Sequence, residues 1–294
     1  TGDDQLQGSA GNDTFTPGLG HDTIDGGAGV DTVVLPMFPN IYRFTETSPG
    51  HITGSYAGTT LHLNDVELLQ FGRAPLAGDD QRFQTTLALS QLVNGEAQQQ
   101  LGRLTDLYLA FFGRAPDVSG LEYWQEKLLE EGRDFATISK DFAWSTEAQA
   151  LYPATGSNRD FVQTVYLNCF ARTPDAGGWD YWTNRLNGLG TTDLSERGAI
   201  VGEVILGAYA PSSGEEDRML LTNRHEAAMY YVNQLSSAPE EGFDAGINTL
   251  LERVSGDAAT RTKAEQVIDY AFAHPVTLTG VMTDAMLLAT LWGT

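Results

Sequence analysis

A glycine, an aspartate and an apolar residue each recur every nine positions at the start of this chain. Gly2, Gly11, Gly20 and Gly29 share one phase, Asp4, Asp13, Asp22 and Asp31 a second, and Leu6, Phe15, Ile24 and Val33 a third. The register holds from Thr1 to Leu35 without a slip. It departs from uniformity only at Ser9, at Pro17-Gly18 and in a first copy that lacks its opening residues. That shortened copy leads us to expect a longer array upstream of Thr1. A fixed short period denotes one small unit stacked on itself. A Gly/Asp-rich linker has no reason to keep an apolar slot in phase.

Each part of the period has a physical role. Glycine admits positive φ and so marks a tight turn. The Gly-x-Asp segment brings bare carbonyls and a carboxylate close together. The three residues after each aspartate alternate polar, apolar, polar, the pattern of a very short strand with one face inward. Four such strands with one apolar residue each cannot offset the entropy of ordering so many glycines. A bound ion must contribute, and hard oxygen ligands indicate calcium. Residues 1–36 contain six aspartates and neither Lys nor Arg; the first basic residue is Arg43.

The segment resembles the RTX (repeats-in-toxin) calcium-binding nonapeptide, G-G-x-G-x-D-x-U-x. The resemblance implies a parallel β-roll in which turns alternate between two sides, repeats two apart stack, and calcium sits between stacked turns. It implies that Asp4 and Asp22 share one ion and Asp13 and Asp31 another, with carbonyls around Gly2, Gly11, Gly20 and Gly29 completing the coordination.

Composition limits the alternatives. The chain of 294 residues is long enough for two or three domains, and 41 % hydrophobic content supports a core. A formal charge of −22 argues against nucleic acid or an anionic membrane as partner and for cations. The lone Cys169 excludes an internal disulfide, so in a secreted protein metal is the expected fastener. Cys169 lies in the apolar run 165–170 and reads as a small core residue. No apolar run reaches membrane-spanning length, so no membrane insertion is expected. No signal peptide opens the sequence, and an export address is expected elsewhere.

Residues 33–71 keep β character, with strands expected at 33–35, 41–44, 51–53, 59–63 and 66–71 between Pro, Gly and Asn-Asp turns. We read 36–78 as a β cap over the open end of the roll. From about Asp79 the spacing becomes helical. A second repeat then appears 58 residues apart. Residues 107–124 and 165–182 share Arg-x-Pro-Asp-x-x-Gly-x-x-Tyr-Trp. Pro116 and Pro174 end a first helix, Asp117 and Asp175 are placed to cap a second, and Leu128 and Leu186 follow one turn on. This unit resembles an uncharacterised all-helical repeat domain of exported bacterial proteins, a domain of unknown function. The resemblance extends over about residues 80–275, with residues 222–231 similar to its usual tail, and implies little chemistry. The bland reading places Arg114 and Arg172 against nearby carboxylates or carbonyls and the tryptophans in the core. The sharper one has Tyr123, Trp124, Trp179, Tyr181 and Trp182 lining a groove for glycan or peptide.

Helices are expected at 215–236, 243–254, 257–273 and 280–291. The apolar tail 281–292 resembles an uncleaved type I secretion signal and reads equally as an ordinary docking helix. His21, His51, His62, His225 and His274 form no metal-spaced pair, and neither a nucleophile elbow nor a phosphate loop occurs. His225-Glu226 reads as a surface pair. No catalytic constellation is found, so the chain is expected not to be an enzyme.

The resulting expectation is a multidomain β-then-α protein. Residues 1–35 form a short parallel β-roll, 36–78 its cap, 79–210 an all-α domain with two helix-turn-helix repeats near 107–128 and 165–186, and 211–294 a C-terminal helical segment. Ca²⁺ is the expected cofactor. The expected setting is a bacterial cell surface or exterior reached by type I secretion, in a surface-layer, adhesion or export-folding role, with cell-surface glycan or self-association as candidate partnerships. Two alternatives remain: a glycan- or peptide-recognition module, and the non-catalytic export tail of a larger secreted enzyme.

Overall fold

The computed structural model describes residues 2–36, 39, 42–56, 59–72, 84–93, 96–153, 156–188, 194–211, 213–236, 244–273 and 292. The chain forms two compact units. The first holds the described residues up to Gly102, and the second those from Arg103 to Leu235 together with the later helices.

The first unit is built on strands too short to stand alone. β1 (Gln5–Gln7), β2 (Thr14–Phe15), β3 (His21–Asp25) and β4 (Thr32–Pro36) alternate between two sheets. β1 pairs in parallel with β3, placing Leu6 beside Ile24, and β2 with β4, placing Phe15 beside Val33. Partners are therefore eighteen residues apart, two periods of nine. Gly2, Gly11, Gly20 and Gly29 repeat one backbone conformation, with φ of 150 or 151°. Gln5, Gln7, Thr14, Thr23, Asp25 and Thr32 are the less buried positions while the apolar slot points in; Ile24 and Val33 are fully buried.

The stack continues beyond the nonapeptides. A hairpin of β5 (Arg43–Ser48) and β6 (His51–Tyr56) intervenes. Then β7 (Thr59–Asn64) pairs in parallel with β3, and β8 (Leu68–Gly72) in parallel with β4. The hairpin adds antiparallel strands beside β7, giving the sheet order β1-β3-β7-β6-β5. Leu61, Leu63, Leu69 and Phe71 extend the buried column, and Phe44 of one sheet meets Phe71 of the other at 6.5 Å between ring centroids.

One expectation is corrected here. The helical spacing placed from Asp79 begins later, because β9 (Gln84–Ala88) is a strand antiparallel to β8. Thr85 and Leu87 face inward and Thr86 outward, a period of two over too few residues to outweigh the helical pattern that follows. β9 covers the edge that β8 would otherwise expose. α1 (Leu89–Val93) follows directly.

The remaining described elements are helices: α2 (Glu96–Phe112), α3 (Val118–Leu129), α4 (Phe135–Phe142), α5 (Thr146–Leu151), α6 (Asn158–Phe170), α7 (Ala176–Gly188), α8 (Leu194–Ala208), α9 (Glu215–Ser236), α10 (Asp244–Arg253) and α11 (Ala258–Ala273). The helices expected over 215–236, 243–254 and 257–273 are present to within one residue at each end. The tail at 280–291 lies outside the described residues. In both copies of the 58-residue repeat the first helix ends on a left-handed residue, Gly113 at φ 64° and Ala171 at φ 52°. The proline that follows prevents continuation. Asp117 then accepts the Gly120 N–H at 2.7 Å and Asp175 the Gly178 N–H at 2.7 Å, capping α3 and α7. The core centres on Leu104, Leu107, Phe111, Leu121, Ile138, Phe142, Val165, Val201 and Ile205, all at most 1 % exposed. α4 and α8 pack closely because Gly198 has no side chain. A Cβ there would lie 2.4 Å from the Ser139 carbonyl oxygen, and Ser139 Oγ instead donates to the Gly198 carbonyl at 2.6 Å.

Candidate metal centre

Of the four in-phase aspartates, Asp4, Asp13 and Asp31 each stand just before a strand and Asp22 is the second residue of β3, and the stacking joins them in pairs. The Asp4 N–H donates to Asp22 Oδ1 at 2.9 Å, and the Asp13 N–H to Asp31 Oδ1 at 2.8 Å. Each carboxylate thus reaches the backbone of the aspartate two repeats earlier. A second ladder runs beside it: Asp3 Oδ1 accepts the His21 N–H at 2.9 Å and Asn12 Oδ1 the Val30 N–H at 3.0 Å.

The four are not equivalent. Asp22 and Asp31 are 0 % exposed, and their Oδ2 atoms have no hydrogen-bond partner among the described residues. Asp4, in the first copy, is exposed, and Asp13 is half-buried with its Oδ2 accepting the Ser9 N–H at 2.8 Å. Gly2, Gly11, Gly20 and Gly29 bring backbone carbonyls into the same turns. The Gly2 oxygen would lie 2.2 Å from a Cβ at Gly20, and the Gly11 oxygen 2.4 Å from one at Gly29.

These residues fit a calcium ion. An ionised carboxylate without solvent is strongly unfavourable unless a countercharge meets it. Among the described residues no Lys or Arg pairs with Asp22 or Asp31. The donor set is oxygen only, carboxylate plus carbonyl, which suits a hard divalent cation. No group of three or more His, Cys, Asp or Glu side chains converges among the described residues. Any site here therefore draws heavily on the backbone, which the glycines leave accessible.

Sequence reasoning missed Glu67. Its Oε2 accepts the Asp31 N–H at 2.8 Å across 36 residues. The signal was present, because Glu67 and Leu69 stand four periods after Asp31 and Val33.

In the helical unit the aromatic candidates are divided. Trp124 is half-buried and stacks on Phe142 at 4.7 Å between centroids, and Trp182 donates its indole N–H to the Tyr166 hydroxyl at 2.9 Å. Trp179 carries the Arg159 guanidinium 3.9 Å above its ring. Tyr123 and Tyr181, at equivalent places in the two repeats, are 50 % and 60 % exposed. The tryptophans thus face their own helices' neighbours, and the tyrosines face outward.

Both repeat arginines find carboxylates, with Arg114 Nε 2.9 Å from Glu147 Oε1 and Arg172 Nε 2.9 Å from Asp217 Oδ1, each in a bidentate pair. His225 departs from expectation. It is largely buried and lies 3.0 Å from the buried Asp106, while Glu226 pairs with Arg261. The sequence neighbours point in different directions because α9 places them about a quarter-turn apart. Cys169 is fully buried, and burial pushes its thiol well above the usual range, against a nucleophilic role. Arg224 is also buried; burial lowers its pKa, and it donates to the carbonyl of Asn168 in α6 and to those of Glu252 and Val254 at the end of α10. No helix among the described residues is long and apolar enough to cross a membrane.

By comparison with known families, residues 1–33 match the RTX calcium-binding nonapeptide repeat (4 copies). Residues 88–152 and 139–196 match a domain of unknown function, DUF4214, each match containing one copy of the 58-residue repeat. No curated protein and no solved structure matches the chain. The chain therefore carries RTX calcium-binding nonapeptide repeats at its N-terminus, followed by the domain of unknown function DUF4214.

Proposed function

We propose that the nonapeptide segment 2–35 winds as a short calcium-loaded parallel β-roll, extended by β7 and β8, and that the chain is a non-enzymatic module of an exported bacterial RTX protein with a surface-layer, adhesion or export-folding role. One observation carries this reading: Asp22 and Asp31 are fully buried, each with a carboxylate oxygen that has no partner among the described residues, in stacked segments lined by carbonyls. Calcium would supply the missing countercharge. Asp22 and Asp31 would hold it from the second coil, Asp4 and Asp13 from the first, and the carbonyls around Gly2, Gly11, Gly20 and Gly29 would complete the shell.

The same feature makes folding conditional. At low cytosolic calcium the buried carboxylates repel and the glycine-rich turns stay disordered, which suits passage through a secretion channel. Outside the cell, binding free energy becomes folding free energy. The folded roll then nucleates or orients the helical part. Titrating calcium into chelator-treated protein under far-ultraviolet circular dichroism tests this. A calcium-dependent gain of β signal is expected; a spectrum indifferent to both calcium and chelator would refute it.

A second reading, recognition of glycan or peptide by the helical unit, is favoured by the paired exposure of Tyr123 and Tyr181. Because Trp124 stacks on Phe142, its replacement would disturb the fold. Tyr123→Ala and Tyr181→Ala are the cleaner controls on a glycan array. Binding that both variants leave intact would remove the tyrosine face as the recognition surface.

A further inference from the structure

The turn that closes the stack lies outside the matched nonapeptides, yet it repeats their oxygen geometry with different residues. We infer that Asp31, Glu67 and the Asp65 carbonyl hold a further calcium ion, between the turn at 26–31 and the turn at 64–67. This inference rests on the reading of the repeats as calcium turns and extends it to residues that the nine-residue consensus does not include.

The amide-to-carboxylate ladder runs unbroken into this turn. Asp4 N–H to Asp22, Asp13 N–H to Asp31 and Asp31 N–H to Glu67 have lengths of 2.9, 2.8 and 2.8 Å. Glu67 thus takes in the third coil the place that an aspartate holds in the second. The third turn is shorter than a nonapeptide turn, since Asn64 pairs with Asp25 and Leu68 with Thr32. A glutamate's extra methylene suits that shorter path.

The carbonyl side matches as well. The point where a Cβ would stand on Gly8 is 2.1 Å from the Gly26 oxygen and 2.8 Å from Asp13 Oδ2. The same point on Gly26 is 2.0 Å from the Asp65 oxygen and 2.7 Å from Asp31 Oδ2. In each case a carbonyl of the next coil and a carboxylate oxygen of the same coil converge beside a glycine. Asp65 takes the place of Gly26, and it adopts a left-handed φ of 48° that aspartate tolerates better than most residues.

The two places differ in what already satisfies the carboxylate. Asp13 Oδ2 receives the Ser9 N–H at 2.8 Å and lies 3.3 Å from the Ser9 hydroxyl. Gly27 stands where Ser9 does and offers no hydroxyl, and Asp31 Oδ2 is left buried with no partner among the described residues. Two carboxylates and a carbonyl, with one anionic oxygen unanswered and away from water, form a partial shell for a hard divalent cation.

The test counts ions on the whole chain. Isothermal titration calorimetry with CaCl₂, checked by equilibrium dialysis, compares wild type with Glu67→Gln, whose amide oxygen can still accept the Asp31 N–H. The variant is expected to bind one ion fewer, or to bind that ion at least about tenfold more weakly, with an unchanged melting curve in EGTA. The same count and affinities in Glu67→Gln would overturn this inference and leave the consensus turns standing. A wild type that binds no calcium would overturn both readings. Anomalous scattering from wild-type crystals grown with calcium provides a check that needs no variant. An ion is expected within about 2.6 Å of Asp31 Oδ2 and the Asp65 oxygen; ions in the other turns with none here would refute the assignment.

Discussion

The two units treat buried charge in opposite ways. In the helical unit Asp106 meets His225, Arg224 donates to three carbonyls, and Arg197 reaches the carbonyls of Tyr152, Pro153 and Gly156. In the strand unit Asp22 and Asp31 receive one amide each on one oxygen and, among the described residues, nothing on the other. The helical unit also has a continuous apolar interior of aromatic and branched residues. The nonapeptide segment offers one apolar side chain in each of its first three strands and an inward pair, Val33 and Leu35, only in β4; those of the first coil, Leu6 and Phe15, are only half-buried. The buried Asp106 has an internal partner, whereas Asp22 and Asp31 each present a carboxylate oxygen that a cation could answer. Calcium should therefore matter for one half of the molecule far more than for the other.

Removing calcium is the broadest challenge to that contrast. In EGTA, hydrogen exchange followed by mass spectrometry should show loss of amide protection across residues 2–72 and retention across α3 to α9. Loss of protection in the helices as well would mean that the strand unit nucleates them. Protection unchanged everywhere would end the contrast.

The converse perturbation is Phe142→Ala, which removes the ring on which Tyr108, Phe111, Phe112 and Trp124 converge. A loss of about 3–5 kcal/mol is expected in urea unfolding followed by tryptophan fluorescence. The loss should be the same with and without calcium. A calcium-dependent difference would couple the two halves.

Asp22→Asn should change sign with the ion. With calcium it should cost on the order of 3 kcal/mol, because a buried charge partner is removed. In EGTA it should be neutral or stabilising, because an unanswered buried charge is relieved. A variant equally destabilised in both conditions would show that Asp22 acts through its hydrogen bond to Asp4 alone.

The smallest effect belongs to the repeat's caps. Asp117→Ala or Asp175→Ala should each cost about 1 kcal/mol in thermal unfolding, independent of calcium. A cost several times larger at Asp117 would assign weight to its 3.6 Å approach to Arg114.

Much of this was readable along the chain, and the gaps have definite causes. The nine-residue phase located the repeating glycine conformation and the inward residues, because each is a local property of one period. The repeat of 58 residues located both proline stops and both aspartate caps for the same reason. β9 was missed because five residues of alternation are outweighed by a longer helical pattern beside them. The pairing of His225 with Asp106 was missed because the partners stand 119 residues apart. The burial of the repeat aromatics was not readable, because it depends on neighbours such as Phe142 and Tyr166 that the repeat motif does not contain.

The order of letters alone established a periodic turn rich in carboxylate and carbonyl oxygen, a chain short of cations near it, and a duplicated helix pair downstream. Those follow from composition and spacing, which act over a few residues. Only the folded chain decided that 59–72 would complete the stack after an intervening hairpin, and that Asp31 would be enclosed between coils with Glu67 at its amide. Strand pairing is chosen by backbone hydrogen bonds and shared burial across dozens of residues, and no local period records which distant segment will supply them.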